Sequence, residues 1–368
     1  MTQKKDKNLS TYLWVEYLLI TFLFFNLLII LFNFIVDPYQ QYRKATLYTF
    51  TIQDQRYLNA GLAKNYDYDS IVVGSSMTEN FYADDITKIL HFGDVIKLPF
   101  HGSSIFEEVA LIKTATKHKK IKNIIFGFDI YSFNGDIIPL NKSIFFPSYM
   151  YDDNFFNDLL YLLNFKVLRK SIKSLSNKYD KKKINTQLNS IYNWQQNWQN
   201  SFNIKNVLKL YNLKKNNYDN LTKQQKSEFF HSFRFDILKK HFDTELLSVI
   251  QKNPQTNFYI FYPPYSVLAY KLMLHQNILQ DTVEFKKYVF FSLQKCKNVK
   301  IYDFQIAKSI TNNLHNYKDT QHYNENINKW MLKQIAKDNY LVTQSNIELY
   351  SKELLTNTKI YKVPNNAF

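Results

Sequence analysis

Two short stretches of this chain carry residues whose types and spacing suit nucleophilic chemistry. In the first, Gly74, Ser75 and Ser76 directly follow an apolar run. In the second, Asp319 and His322 stand three residues apart in the sequence DTQH. A serine hydroxyl becomes a useful nucleophile when a base takes its proton, and a carboxylate holds the imidazole of that base in the right tautomer. Asp-x-x-His supplies both groups from one turn, although either stretch alone is also typical of an ordinary turn.

The elements that must position these residues predict a parallel α/β sheet. Apolar, β-rich runs lie at 70–73, 95–98, 123–128, 257–262 and 299–304, and helix-compatible stretches lie at 84–90, 104–118, 282–294 and 324–337. Continuous apolar strands that alternate with helices indicate a sheet covered on both faces. Right-handed crossovers make it a doubly wound, five-stranded parallel sheet. Ligands collect outside the carboxyl ends of such strands. The serine pair follows the first of them and opens a helix-compatible segment at 77–90.

The order of these features resembles the SGNH (GDSL-like) hydrolase superfamily. Gly-x-Ser follows the first run, a glycine the second, Gly-x-Asp the third and Asp-x-x-His the last. The resemblance covers roughly 69–133 and 258–337, and "FYPPYS" after the fourth run is similar to a loop of these proteins. The nearest likeness is the membrane-anchored, exported branch that includes teichoic-acid D-alanylation proteins and polysaccharide O-acetyltransferases. It implies an SGNH/flavodoxin-like fold.

Carried over position by position, the resemblance assigns roles to the residues of both stretches. It implies that Ser76 is the nucleophile, that His322 is the general base and that Asp319 orients the imidazole. It also implies that the N–H groups of Ser76 and Gly102 bind the oxyanion. The serines that follow Gly102 are assigned a structural role, with Ser104 expected to begin a capping box for the helix after it.

Asp129 departs from the family's pattern, which has an asparagine donor at this oxyanion position. An ionised carboxylate can only accept hydrogen bonds. Three alternatives stay open: Asp129 is held protonated by burial or by a neighbouring carboxylate, Asn134 replaces it, or a backbone N–H does.

An apolar run at 12–36 is long enough to span a bilayer as a helix. Its only charge is Glu16, and Lys4, Lys5 and Lys7 precede it, which favours an amino terminus in the cytoplasm. No small-residue cleavage site ends the run. We therefore expect a cytoplasmic tail at 1–11, a single-pass anchor at 12–36 in the cytoplasmic (inner) membrane and an exported domain at 37–368. The alternative is a buried helix of a soluble protein.

The interval 134–249 interrupts the alternation of strands and helices and predicts a mostly helical insertion. Its basic residues include Lys166, Arg169, Lys170, Lys173, Lys181, Lys182 and Lys183. A solvated helix face and a surface that binds an anionic ligand are both open interpretations. The net charge of +16 favours anionic partners such as a phospholipid surface, an acidic polysaccharide or nucleic acid.

The composition argues against several classes of site. The eight histidines show no paired metal-ligand spacing, and the single cysteine, Cys296, excludes an internal disulfide and a cysteine-based metal cluster. With six glycines and no phosphate-cradling fingerprint, no cofactor is expected. Nucleic-acid binding would rest only on positive charge and aromatic residues, and export opposes it.

The sequence therefore predicts a membrane-anchored serine esterase or O-acyltransferase that acts on a cell-envelope glycan through a Ser-His-Asp triad. Its expected partners are an envelope polysaccharide or acylated glycan, the membrane and, for a transferase, a membrane protein that delivers the acyl group. The alternative is a non-catalytic glycan-binding or envelope-assembly protein with a degraded site, which Asp129 favours.

Overall fold

The computed structural model describes residues 2–52, 54–135 and 145–364, without the side chains of 2–11 and 196. The helices of these residues are α1 (Thr2–Val36), α2 (Gln55–Asn65), α3 (Ala83–Leu90), α4 (Ile105–His118), α5 (Leu159–Leu162), α6 (Phe165–Leu175), α7 (Lys181–Asn189), α8 (Ile204–Asp219), α9 (Lys223–Ser232), α10 (Phe235–His241), α11 (Ser248–Lys252), α12 (Val267–His275), α13 (Leu279–Leu293), α14 (Lys308–Thr311), α15 (Glu325–Ile335) and α16 (Ile347–Ile360). A π-helical segment, Phe242–Leu247, joins α10 to α11.

The five strands form one parallel sheet, as the sequence predicted. They are β1 (Ser70–Gly74), β2 (Val95–Lys97), β3 (Asn123–Gly127), β4 (Asn257–Tyr262) and β5 (Val299–Asp303). The order across the sheet is β2-β1-β3-β4-β5, and all four neighbouring pairs are parallel. Every residue of β1 is buried, because a strand inside a parallel sheet has no face in water. The carboxyl ends of all five strands therefore meet at one edge of the sheet.

The predicted helix at 77–90 is wrong in its first half. A single 3-10 turn, Ser76–Thr78, follows β1, and α3 begins only at Ala83. Thr78 closes this turn because its Oγ1 donates to the carbonyl of Ser75 at 2.9 Å. The tight turn leaves Ser76 at the edge of the sheet instead of inside a helix.

The chain divides into two compact units. The first unit combines Met1–Tyr66 with Pro147–Ile184, and the second combines Asp67–Phe146 with Asn185–Phe368. The interval 134–249, predicted as one helical insertion, is mostly helical where the structure describes it and contributes to both units. Its residues 136–144 lie outside the described part of the chain.

The first unit contains the membrane-length helix. Tyr12–Val36 of α1 is long and apolar enough to cross a bilayer, by length and composition. Asn33, near its carboxyl end, is buried against α5 and α6: its Nδ2 donates to the carbonyl of Leu162, and its Oδ1 accepts from the hydroxyl of Ser171, both at 2.8 Å. The last turn of α1 is therefore part of the core of this unit.

The chain leaves α1 through a turn built on Asp37. The buried carboxylate of Asp37 accepts the N–H groups of Gln41 and Tyr42 at 2.8 Å and the hydroxyl of Tyr161 at 2.9 Å. Burial raises the pKa of Asp37, against these hydrogen bonds.

Candidate active site

Two facing glycines let the serine turn pack closely onto the sheet. Gly74 at the end of β1 stands opposite Gly127 at the end of β3, and the methyl group of Thr78 lies over both. A Cβ at Gly127 would come within 2.4 Å of Thr78 Cγ2, and one at Gly74 within 2.9 Å. Glycine is therefore needed at both strand ends for the turn that carries Ser76 to occupy this place.

The structure brings Ser76, His322 and Asp319 together in one relay, although Ser76 and His322 are 246 residues apart. Ser76 Oγ lies 2.8 Å from His322 Nε2, and His322 Nδ1 lies 2.8 Å from Asp319 Oδ2. Ser76 follows β1, whereas the other two residues lie in the loop that precedes α15. These distances satisfy the geometric requirement for a nucleophile, its base and the group that orients the base.

The local electrostatics keep Asp319 ionised. Burial alone would raise the pKa of Asp319, but His322 and the backbone hydrogen bonds outweigh it and hold the pKa well below its usual range. The backbone N–H groups of Gln321 and His322 donate to its Oδ1 at 2.8 and 2.9 Å. An ionised Asp319 accepts the proton on His322 Nδ1, which leaves Nε2 as the acceptor for the hydroxyl of Ser76.

Gly102, the predicted oxyanion glycine, lines the same cavity as Ser76 and His322. Its φ of 56° lies in the left-handed region, which glycine adopts without strain. A Cβ there would meet nothing within 4 Å, so backbone conformation and not crowding selects glycine at this position. The structure places Gly102 beside the serine; its role as a donor stays a prediction.

Asp129, the second predicted oxyanion residue, also lines the cavity but acts only as an acceptor. Its Oδ2 accepts the hydroxyl of Ser75 at 2.6 Å, and its Oδ1 accepts the hydroxyl of Tyr265 at 2.5 Å and the N–H of Tyr131 at 3.0 Å. In this arrangement the oxygens of Asp129 are engaged as acceptors of three hydrogen bonds. The expected donor is thus replaced by a carboxylate that fixes the residue before the nucleophile. Asn134 is not among the described residues that line the cavity.

A neighbouring carboxylate does lie beside Asp129, and it is Glu108 of α4. Burial raises the pKa of Glu108 to about 8, and the charge of Asp129 adds to the shift. Its Oε1 accepts the hydroxyls of Ser103 and Ser132 at 2.6 and 2.9 Å. A pKa of about 8 leaves Glu108 largely protonated at neutral pH. Ser103 has a structural role, as expected.

The predicted capping box at the start of α4 is confirmed. Glu107 reaches back to Ser104, whose backbone N–H donates to Glu107 Oε2 at 2.8 Å, and Ser104 in turn accepts the third N–H of the helix. Both serines of the second Gly-Ser-Ser are thus accounted for without a chemical role.

The cavity beside Ser76 has a volume of about 500 Å³. Ser76, His322 and Gly102 line it together with residues of α8, α9, α12 and the link between α8 and α9, which are Lys214, Tyr218, Leu221, Phe229, Ala269 and Leu272. A volume of this size suits a small-molecule group with a mainly apolar body and a few polar contacts.

The residues that hold the loop at 318–322 in place could not be recognised from the sequence. Lys214 Nζ donates to Thr320 Oγ1 at 3.0 Å and to Gln321 Oε1 at 3.3 Å. Asn206 Nδ2 donates to the carbonyl of Lys318 at 2.5 Å. These two side chains lie on α8, far from the motif in sequence, and only their basic or polar character was visible there.

A pair of tryptophans holds the same loop from another side. The ammonium group of Lys318 lies 3.8 Å from the ring centroid of Trp194 and 4.7 Å from that of Trp198. The Trp194 ring also meets the His322 ring edge-on, with centroids 5.6 Å apart. Cation–π contacts of this kind stabilise the loop that carries the base. Tryptophan and lysine counts alone gave no signal for this arrangement.

Among the described residues, no group of three or more His, Cys, Asp or Glu side chains is arranged to hold a metal ion. No protein-family model matches this chain, and neither does any curated protein. The likeness to SGNH hydrolases therefore rests on the motifs of the sequence alone.

Proposed function

We propose that this protein is a membrane-anchored serine esterase or O-acyltransferase of the SGNH type that acts on a cell-envelope glycan. One observation carries the proposal: Ser76, His322 and Asp319 form a continuous hydrogen-bonded relay with both distances at 2.8 Å. The relay lies at the carboxyl edge of a parallel sheet and faces a cavity, where α/β enzymes bind their ligands.

We further propose that the sheet is doubly wound, with an SGNH/flavodoxin-like fold. The strand order β2-β1-β3-β4-β5 is the flavodoxin-like order of doubly wound sheets. In that arrangement the crossover helices cover both faces of the sheet, and the order reverses between β1 and β3. Gly74 and Gly127 lie at this switch point, beside the serine turn.

The chemistry follows from the geometry of the relay. Ser76 Oγ attacks the carbonyl carbon of an acyl ester while His322 Nε2 takes the hydroxyl proton, and Asp319 stabilises the imidazolium. The N–H groups of Ser76 and Gly102 bind the oxyanion of the tetrahedral intermediate. His322 then gives its proton to the departing alcohol, which leaves an acyl-enzyme. Water as the next acceptor makes the protein an esterase, and a sugar hydroxyl makes it a transferase.

The cavity and the anchor support the choice of substrate. Leu221, Phe229 and Leu272 offer an apolar wall to the acyl group, while the open side admits the end of a polymer. The membrane-length helix α1 would keep this site next to the envelope. As a transferase the protein would need a membrane partner that delivers the acyl group.

Mass spectrometry of the full chain after treatment with an activated acetyl ester tests the proposal. We expect one acetyl group on Ser76 in the unmodified protein and none in Ser76→Ala, because alanine has no hydroxyl to acylate. Ser309→Ala is the matched control, since Ser309 is an exposed serine outside the cavity, and it should label like the unmodified protein. Labelling of the Ser76→Ala variant at the same rate would overturn the assignment.

The alternative, a glycan-binding or envelope-assembly protein with a degraded site, is favoured by one observation. Asp129 puts an acceptor where an oxyanion donor is expected. Removing one oxyanion donor typically costs about 10²–10³ in rate. If the unmodified protein binds envelope glycan but forms no acyl-enzyme with the activated ester, this second function replaces the first.

A further inference from the structure

Helix α6 of the first unit presents three different faces. Val167, Ser171 and Ser174 are buried against the rest of the unit. Phe165 and Ile172 point outward with 63% and 61% of their side chains exposed. A water-facing helix of a globular protein carries polar residues opposite its buried face, so this exposed apolar face needs a partner.

The apolar face continues through the residues that precede α6. Phe156 is 88% exposed and Phe155 is 72% exposed, in a short 3-10 turn that leads directly into α5. Together the exposed apolar side chains form a surface that we call the apolar patch, which consists of Phe155, Phe156, Leu159, Leu160, Leu163, Phe165, Ile172 and Leu175. Soluble proteins rarely leave so many large apolar side chains in water at one place.

The apolar patch adjoins the carboxyl end of the membrane-length helix. Asn33 of α1 hydrogen-bonds to Leu162 in α5 and to Ser171 in α6, so both helices pack against the last turns of α1. Leu31 and Ile35 on the outer side of those turns are 46% and 57% exposed. The patch therefore lies on helices that pack directly against the carboxyl end of α1.

A group of cations borders the apolar patch on the third face of α6. Lys166, Arg169, Lys170 and Lys173 line a cavity of about 280 Å³. The one carboxylate there is Asp54, which pairs with Lys166 at 3.0 Å. We call the four basic residues the cation cluster. Lys170 is buried, so the three exposed members, Lys166, Arg169 and Lys173, are the ones that attract anionic lipid headgroups.

We propose that the apolar patch is buried in the lipid boundary of the bilayer that α1 spans, and that the cation cluster binds the phosphate of anionic phospholipids there. A helix with a charged face beside an apolar face lies in the plane of the membrane interface, with its apolar side chains in the acyl region. The apolar patch supplies that side, and the cation cluster meets the headgroups. This interaction is independent of the relay at Ser76.

Depth-dependent quenching in proteoliposomes tests the position of the patch. The full chain carrying Cys296→Ser, which removes its only cysteine, receives Leu160→Cys or Ile172→Cys and an environment-sensitive fluorophore. Lipids with a nitroxide on the acyl chain should quench both labels, because both side chains lie in the acyl boundary. Lys181→Cys is the matched control, since it is exposed in the same unit but outside the patch. Equal quenching at all three positions, or none at the patch, would overturn the proposal.

Lipid binding in non-ionic detergent tests the cation cluster. The full chain is titrated with short-chain phosphatidylglycerol and, separately, with phosphatidylcholine. The unmodified chain should prefer phosphatidylglycerol. The triple variant combines Lys166→Gln, Arg169→Gln and Lys173→Gln, and we expect the preference to fall about fivefold for each cation that is removed. The same change at Lys181, Lys182 and Lys183 is the matched control and should keep the preference.

Equal affinity for both lipids, or an equal loss in the control, would contradict the headgroup site. Circular dichroism shows whether each variant is folded. If the triple variant is not folded, Arg169→Gln alone replaces it. Because Ser76 labelling is measured separately, failure of this proposal and failure of the proposed function are distinguishable.

Discussion

The hydrogen bond from Ser75 to Asp129 sets the direction of the nucleophile turn. Ser75 Oγ donates to Asp129 at 2.6 Å and accepts the N–H of Met77 at 3.4 Å, so both sides of Ser76 are held. The same carboxylate places negative charge in the cavity where an oxyanion would develop. Asp129 therefore helps to position Ser76 through its hydrogen bond to Ser75, while its charge would disfavour an oxyanion in the cavity.

Asp129→Asn tests which of the two effects dominates. The asparagine Oδ1 can still accept from Tyr265 and Tyr131, while the negative charge is gone and a donor is gained. We expect acyl-enzyme formation to accelerate by about 10², the usual value of one oxyanion donor. Stopped-flow acylation with an activated ester measures the rate. Asp319→Asn is the matched control, for which we expect a loss of about 10⁴; a slower Asp129→Asn would show that the bond to Ser75 matters more.

Glu108 should make stability depend on pH. Burial raises its pKa from 4.5 to about 8 in the folded protein. Between these values the folded state holds a proton that the unfolded chain has lost, so the free energy of unfolding falls as the pH rises from about 4.5 to about 8. Glu108→Gln keeps an acceptor for Ser103 and Ser132 and removes the titration. Thermal unfolding at several pH values should show a flatter dependence for the variant, and identical slopes would contradict the raised pKa.

The meeting of Ser76, His322 and Asp319 could be predicted from sequence because each of them lies next to a recognisable strand or turn; their catalytic roles stay predictions. Ser76 follows an apolar run that ends in glycine, and Asp319 and His322 share one turn. The acceptor role of Asp129 could not be predicted, because it depends on the hydroxyls of Tyr265 and Ser75 pointing at the carboxylate. A sequence gives the residue type at a position but not the direction of its hydrogen bonds.

Among the elements, α8 holds the loop that carries the base. Lys214 donates to two side chains of that loop, and burial lowers its pKa while Asp319 opposes the shift. The helix therefore acts on the relay without touching Ser76.

We expect Lys214→Met to lower kcat by about 10², because a small displacement of a catalytic group costs this much. The methionine keeps most of the volume of the side chain and removes only its donors. Steady-state kinetics with an activated ester measures the change, and thermal unfolding shows whether the fold is retained. Lys215→Met, on the exposed side of α8, is the matched control. A change in KM alone would indicate that Lys214 contacts the substrate instead of positioning the loop.

The strands were predictable to within one residue, because buried parallel strands are continuous apolar runs, as 257–262 shows. The contribution of the 134–249 interval to the site could not be predicted from the sequence. Lys214, Trp194 and Asn206 stand in a stretch rich in lysine and asparagine, and polar helices of this kind show no periodicity that would identify the face turned toward a loop more than 100 residues away.

At the scale of the whole molecule, the carboxyl end of α1 shares one core with the rest of the first unit. Asn33 and Val36 are buried within the unit, so the carboxyl end of α1 cannot be treated as a detachable tether. This contact joins residues 129 and 138 positions apart, a distance over which local patterns carry no information.

A variant that begins at Asp37 should therefore be less stable than one that begins at Asn26. The shorter variant leaves Ser171 Oγ and the carbonyl of Leu162 without their partner, and each buried polar group left unpaired costs about 1–3 kcal/mol. Chemical denaturation of both variants in the same detergent compares the free energies of unfolding. Equal values would show that the last turns of α1 add nothing to the unit.

The contact between Thr78 and Gly127 also limits how this protein can change over time. One position lies in the serine turn and the other ends a neighbouring strand, yet the methyl group of the first occupies the space that any side chain at the second would need. Serine at 78 would keep the hydroxyl that closes the turn and vacate that space. A larger residue at 127 therefore becomes admissible only after position 78 has lost its methyl group, so substitutions at these two positions must occur in a fixed order.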